Sequence, residues 1–239
     1  MGDGERPDVV YVVRPGNQNE QLRYSLRSLA NLPHRRVWIA GYCPTWVGPD
    51  VGRIPVAQAT GTKYQNSTAN LRAAAEHPEV AEEFLYLNDD FFTMQPIDRM
   101  PVLHRGPVRD VEAYYATRGN GAYLRGLRET RDLLVSLGHE DPLSYELHLP
   151  MYLEKAKMLE TLDVGSHLDV LHKRSMYGNL FNVGGKQVRD CKILDRSPQF
   201  DKNAAFLSTM PDSFTNGAVG QFIRRSFPRP GPYERRGRR

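Results

Sequence analysis

The chain has 239 residues, 40% of them hydrophobic and 25% charged, which is long enough to bury a core without covalent staples. Its two cysteines, Cys43 and Cys191, stand outside any CxxC pattern; this excludes a disulfide framework or a cysteine-rich zinc site and suits a reducing compartment. The net charge of +4 is concentrated at the end, where residues 224–239 hold seven arginines against the single acid Glu234, so the slightly acidic body is not a basic nucleic-acid platform. We expect one domain over residues 1–227 and a Pro/Arg-rich tail over 228–239. The tail reads as a solvated end, with a tether to an acidic partner as the sharper alternative. No apolar run approaches a membrane span, and Met1 to Arg6 carry no signal-peptide core, so the expected location is the cytoplasm.

Val9 to Val13 is a short run rich in β-branched residues and predicts a buried strand. Arg14 to Asn17 reads as a turn. Asn17 with Glu20 three residues later resembles a capping box, and Leu22, Leu26 and Leu29 mark the buried face of the helix that follows. Val37 to Ala40 is a second strand, Asn66 to Glu76 a second helix, and Phe84 to Leu87 a third strand running directly into Asn88-Asp89-Asp90. Alternation of this kind predicts an α/β fold with a mainly parallel central sheet flanked by helices. The second half is less regular. Leu124, Leu127, Leu134 and Leu137 fit a helix stopped by Gly138; Pro150 to Leu162 fits another with proline in its first turn; Asp212-Ser213 would cap a third running towards Arg225. Residues 99–117 and 186–200 read as short strands and loops.

In such sheets ligands bind at the carboxyl ends of the strands. Arg14 to Asn17 and Asn88 to Asp90 are about seventy positions apart, yet this topology places both on one rim. Asp89 and Asp90 are hard oxygen donors suited to magnesium or manganese, which can neutralise a diphosphate; the plainer reading of Asn-Asp-Asp is a turn. His148, placed before the expected helix at Pro150, would be kept neutral and able to act as a base. Arg14 is a phosphate or base contact by its place at a strand end. Arg23, near a helix start, can reach a phosphate, whereas Arg27 reads as a solvated helix face. His167 and His172 read as surface residues, and Gly184-Gly185-Lys186 is too short for a phosphate loop.

Several of these segments also resemble one family. Asn19 to Leu29 looks like the "ELRYSLRS" segment of the Stealth sugar-phosphate transferases, Cys43 to Val47 its "P-x-W-L" turn, Asn66-Ser67 its "FNS", and Phe84 to Phe92 its "FIYLNDD". His148-Leu149-Pro150 is similar to its "HMP", Arg174 falls near its third-region arginine, and Asp212 matches a late acidic position. The chain also resembles small transferases of actinobacterial phages. The resemblance is specific over residues 9–95 and implies a compact GT-A-like nucleotide-sugar transferase fold. Taken with the strand-end and helix-start readings above, the expected catalytic residues are Asp90, His148 and Arg174, the expected ligands of Mn²⁺ or Mg²⁺ are Asp89, Asp90 and Asp212, and the expected contacts to a UDP- or other NDP-sugar donor are Arg14, Asn17, Arg23, Asn66 and Asn88.

The chain departs from the family in two places. Val12-Val13 replaces a Thr-Trp pair, and the family glutamate after "NS" aligns with about Leu71, beside Asn70. The expected activity is therefore glycosyl transfer from a nucleotide sugar to a protein or glycan acceptor, a virion protein if the chain is phage-encoded. Stealth-type sugar-1-phosphate transfer and a degenerate nucleotide-sugar-binding module are the alternatives.

Overall fold

A computed structural model describes residues 6–16, 18–57 and 61–235. In chain order its elements are β1 (Asp8–Val13), α1 (Glu20–Ser28) with a 3-10 turn (Leu29–Asn31), β2 (Val37–Gly41), β3 (Gly52–Ile54), α2 (Lys63–Glu76), β4 (Glu83–Asn88) and β5 (Phe91–Thr93). The second half holds β6 (Leu103–His104), α3 (Val108–Ala116), α4 (Ala122–Ser136), β7 (Met151–Glu154), α5 (Lys155–Val164) and α6 (Lys173–Leu180). Then come β8 (Lys186–Gln187), β9 (Lys192–Ile193), β10 (Phe206–Thr209), α7 (Pro211–Asn216) and α8 (Ala218–Ser226).

The central sheet has the order β3-β2-β1-β4-β7, parallel throughout except for β7. Every residue of β1 is buried, as a strand covered on both faces requires. Its side chains alternate: Val9, Tyr11 and Val13 pack with the α1 leucines, while Val10 and Val12 pack with Leu71 and Ala74 of α2 and Met158 and Leu162 of α5. At the opposite end from the rim, buried Asp8 accepts a fork from Arg35 (2.9 Å twice), the Trp38 indole N–H (2.8 Å) and the Ala81 N–H (3.0 Å). Burial alone would raise this carboxyl; those donors outweigh it and hold it below its ordinary value. A smaller sheet, β5-β10-β9, carries α7 and α8 on an apolar patch where Phe92 stacks on Phe214. No helix among the described residues is long and apolar enough to cross a membrane.

Four expectations are corrected. Met151–Glu154 is a strand and not the first turn of a helix, because it pairs antiparallel with the otherwise open edge of β4; the helix begins at Lys155. The stretch expected as strands and loops after Arg99 contains α3. The helix expected from Asp212 to Arg225 is two helices, broken at Gly217, where an added Cβ would meet the Ser213 and Arg196 carbonyls. Residues up to Arg235 do not stand away from the body. Gly48 N–H donates to the Tyr233 carbonyl, Arg235 N–H donates to the Trp46 carbonyl, and Glu234 accepts both arms of Arg27 at 2.6 and 3.0 Å. Arg27 is thus not a solvated face, and the lone acid of the basic end is its anchor.

Candidate functional site

β1 and β4 are parallel neighbours, and the chain leaves β1 towards β2 on one side while β4 lies on the other. This is a topological switch point, and the loops beyond the strand ends diverge there to leave a crevice. Val12 of β1 sits opposite Asn88, the last residue of β4, so the two polar segments share one rim as the alternation predicted. The start of α1 is tied to the second segment by one side chain. Asn19, in the left-handed region at φ 36°, caps α1 by accepting the Leu22 N–H at 3.1 Å and donates its amide to Asp89 Oδ2 at 2.8 Å. The cap is therefore Asn19; Asn17, expected in that role and as a cofactor contact, lies outside the described residues.

Burial raises the Asp89 carboxyl and the neighbouring Asp90 charge raises it further, against the opposing pull of Asn19 and of exposed Arg14. Asp90 Oδ2 is met by the Lys192 ammonium from β9 and by Ser208 Oγ from β10 at 3.1 Å. The small sheet thus delivers a cation and a hydroxyl to the end of the large one. Asp212 does not join this pair. It lies exposed in the first turn of α7 and is forked onto Arg196 at 2.7 and 2.9 Å. No cluster of three or more His, Cys, Asp or Glu suited to a metal occurs among the described residues.

His148 sits at the edge of Phe91. Asp190 accepts both its backbone N–H (3.0 Å) and its ring Nδ1–H (2.8 Å), which leaves Nε2 as the acceptor of the neutral ring. Burial would raise the Asp190 carboxyl, but the His148 contacts outweigh it and hold it low. The helix end expected after Pro150 to keep His148 neutral is not there, because β7 follows; the ring is instead oriented by a carboxylate. Arg174 is buried and donates to the carbonyls of Leu147 (3.2 Å), Leu149 (2.6 Å) and Tyr86 (3.3 Å), with its plane against Tyr86 and Phe91. These bonds fasten the His148 segment to β4.

His148 is a wall of two cavities. The inner chamber, about 180 Å³, is lined by Tyr64, Ser67, Asn88, Glu146, His148 and Lys173. The outer cleft, about 750 Å³, lies on the side of Arg105, Tyr114, Arg189 and Lys192. Lys173 is buried with one hydrogen bond, to Thr68 Oγ1 at 3.2 Å. Burial pulls its ammonium down to about 8, against the attraction of Glu146.

Two expected donor contacts are elsewhere. Arg23 lies over Trp46 and within 3.5 Å of Glu234, so it serves the docked C-terminal segment. Asn66 donates to the Gly61 carbonyl at 3.3 Å on the exposed start of α2, while its neighbour Ser67 faces the chamber. His172, expected at the surface, is buried with its Nε2 on the Tyr123 carbonyl. Asp190, Lys192, Ser208, Glu146 and Lys173 carry no periodic or motif signal in the sequence. Asn19 does: it stands immediately before an acidic first turn.

No family model matches the chain, and no curated protein matches it, so the Stealth resemblance rests on the segments themselves. Among solved structures, the galactosyltransferase LgtC in complex with donor and acceptor sugar analogues matches with a TM-score of 0.53 at 12% identity, covering 94% of this chain and 98% of that one. At this identity the likeness is one of fold, and it agrees with the sheet order and rim described above: the chain has the fold of a GT-A glycosyltransferase.

Proposed function

We propose that the protein is a glycosyltransferase that takes a sugar from a nucleotide-sugar donor and passes it to a hydroxyl of a glycan or protein acceptor. One observation carries this reading: His148, oriented by Asp190, stands between a small polar chamber and a large open cleft, beside the Asn88 end of β4. The adjacent carboxylates Asp89 and Asp90 form an oxygen-only donor pair. Mg²⁺ and Mn²⁺ commonly take one or two carboxylates and complete their shell with substrate phosphates and water, so the pair fits such an ion, which would replace the Lys192 ammonium at Asp90. When bound, the ion neutralises charge on the departing diphosphate.

The chain's own residues do the rest. Arg14, exposed beside Asp89, is free to meet a phosphate. Asn88, Glu146 and Lys173 offer hydrogen-bonding groups to sugar hydroxyls inside the chamber. His148 Nε2 accepts the proton of an acceptor hydroxyl entering from the cleft. The acceptor oxygen then bonds to the anomeric carbon, the sugar–phosphate C–O bond breaks, and its electron pair leaves with the nucleoside diphosphate. Arg174 holds the His148 segment in register through three carbonyls and acts by positioning.

Sugar-phosphate transfer is the second reading, and Leu71 and Asn70 argue against it. At the position of the family glutamate, Leu71 is fully buried in the core and Asn70 donates to the Val13 carbonyl at 3.4 Å, so no carboxylate is presented there. The test is chromatography of the nucleotide products after incubation with donor, manganese and acceptor. Nucleoside diphosphate is expected. Nucleoside monophosphate formed directly would establish the second reading, and no turnover with any donor would leave a binding module.

A further inference from the structure

The outer cleft gathers three arginines that are not forked onto carboxylates, unlike Arg27 on Glu234, Arg35 on Asp8, Arg196 on Asp212 and Arg224 on Glu20. Arg105 gives one hydrogen bond, to Tyr115 Oη at 3.2 Å, and stands 3.8 Å from Asp190, whose oxygens His148 already occupies. Arg118 gives one, to the Tyr114 carbonyl at 3.0 Å. Arg189 is exposed and has no side-chain partner among the described residues. Each guanidinium has five N–H donors, so most of the hydrogen-bonding capacity of the three is unused.

Their placement is nonetheless ordered. Arg118 lies 3.8 Å and Arg105 5.2 Å from the centre of the Tyr114 ring. Tyr114 as a residue is 41% exposed on the cleft wall, and Leu194 and Met210 add exposed apolar surface beside it. Two carboxylates line the same space: Asp190 is held by His148, and exposed Asp110 lies 3.9 Å from Arg109 and is hydrogen-bonded to none of the three arginines among the described residues. Guanidinium groups with unused N–H donors match planar or tetrahedral oxyanions, and exposed Leu194 and Met210 beside them suit the apolar side of a sugar ring.

The geometry points to an acceptor site for an anionic glycan, a saccharide chain bearing carboxylate or phosphodiester groups, whose reacting hydroxyl meets His148. This rests on the donor reading above and names the acceptor class for the same reaction. A nucleic acid shares the charge, and it enters as an outcome of the test.

The experiment is calorimetric titration of the full chain, with manganese and a nucleoside diphosphate present. The probes are oligogalacturonate, a phosphodiester-linked oligosaccharide, neutral maltohexaose and a single-stranded deoxythymidine oligomer. One of the two anionic glycans is expected to bind at least about tenfold tighter than maltohexaose, weakening with salt, and the winner identifies the oxyanion. The pair Arg118→Ala and Arg189→Ala is expected to remove most of that preference, with Arg118→Lys intermediate because it keeps charge without the fork. Thermal unfolding of each variant separates this from loss of fold. Equal affinity for maltohexaose, tightest binding of the deoxythymidine oligomer, or an undiminished preference in the double variant would each overturn the proposal. Absence of nucleoside diphosphate binding, measured separately, would instead remove the donor reading and leave the glycan ratio to judge the cleft.

Discussion

The two halves of the molecule build their share of the site by different means. Up to β5, position follows from the sheet: Asn88, Asp89 and Arg14 stand where parallel strands end, and hydrophobic alternation holds those strands. Beyond β5, position follows from buried polar bonds. His148 is held by Asp190 and by the carbonyls around it that Arg174 gathers, and Glu146 accepts from Ser175 N–H and Oγ at 3.1 and 3.3 Å. An apolar core tolerates change that keeps its volume. A buried polar network fails when one partner is removed. The first half should therefore lose chemistry without losing fold, and removing a donor that holds the His148 segment in the second half should cost both together.

Four variants can break that contrast. Asp90→Ala has the largest expected effect, a fall in transfer rate of about two to three orders of magnitude, about 3–4 kcal/mol in the barrier. Its melting temperature should stay close to that of the parent, because the freed Lys192 can move towards water; a rate within a factor of a few of the parent would remove Asp90 from the site. Arg174→Met should lower unfolding free energy by about 3 kcal/mol, because buried carbonyls lose their donors, and urea titration measures it. Its transfer rate should fall as well, which Asp90→Ala does not pair with instability.

Lys173→Met should have the opposite sign. The native ammonium titrates near 8 and the unfolded one near roughly 10.4, so the unfolded chain binds more protons between those values and parent stability rises with pH across that window. The variant should be more stable than the parent by about 2 kcal/mol at pH 7. That advantage should fade as pH approaches roughly 10.4. Sugar-nucleotide turnover should fall in the same variant, and a Lys173→Met protein that is both stabilised and fully active would show that the chamber does not use the amine.

Glu234→Gln should have the smallest effect, about 1 kcal/mol at pH 7. Burial would raise this carboxyl, but Arg27 outweighs it and holds it low. Its contribution is therefore present above roughly pH 4.3 and lost as pH falls through the lower folded value. Denaturation at pH 7 should separate parent and variant, and the gap should narrow as pH falls below roughly 4.3; no gap at pH 7 would mean the Glu234 charge adds nothing to the fold.

The strands Val9–Val13, Val37–Ala40 and Phe84–Leu87, the α1 leucine stripe and the shared rim were legible because periodicity and strand ends are local properties that the topology converts directly into space. The same reading failed at Met151–Glu154. Proline and spacing favoured a helix, and the open edge of β4 required a strand. It failed at Arg23, Arg27 and Asp212 for another reason. Charged side chains are assigned by their partners, and Glu234 and Arg196 lie far away in the chain or outside any motif.

By itself, then, the sequence determined the α/β class, the order of the first elements and the carboxylate pair at the end of β4. All of these depend on patterns within a dozen residues. Tertiary structure alone decided that Lys192 and Ser208 meet Asp90, that Asp190 orients His148, and that Lys173 is buried against Thr68. Those pairs join residues 42 to 118 positions apart, or 105 for Lys173. A polar contact at that separation leaves no periodic trace, because it is fixed by where packed elements end and not by what precedes or follows each residue in the chain.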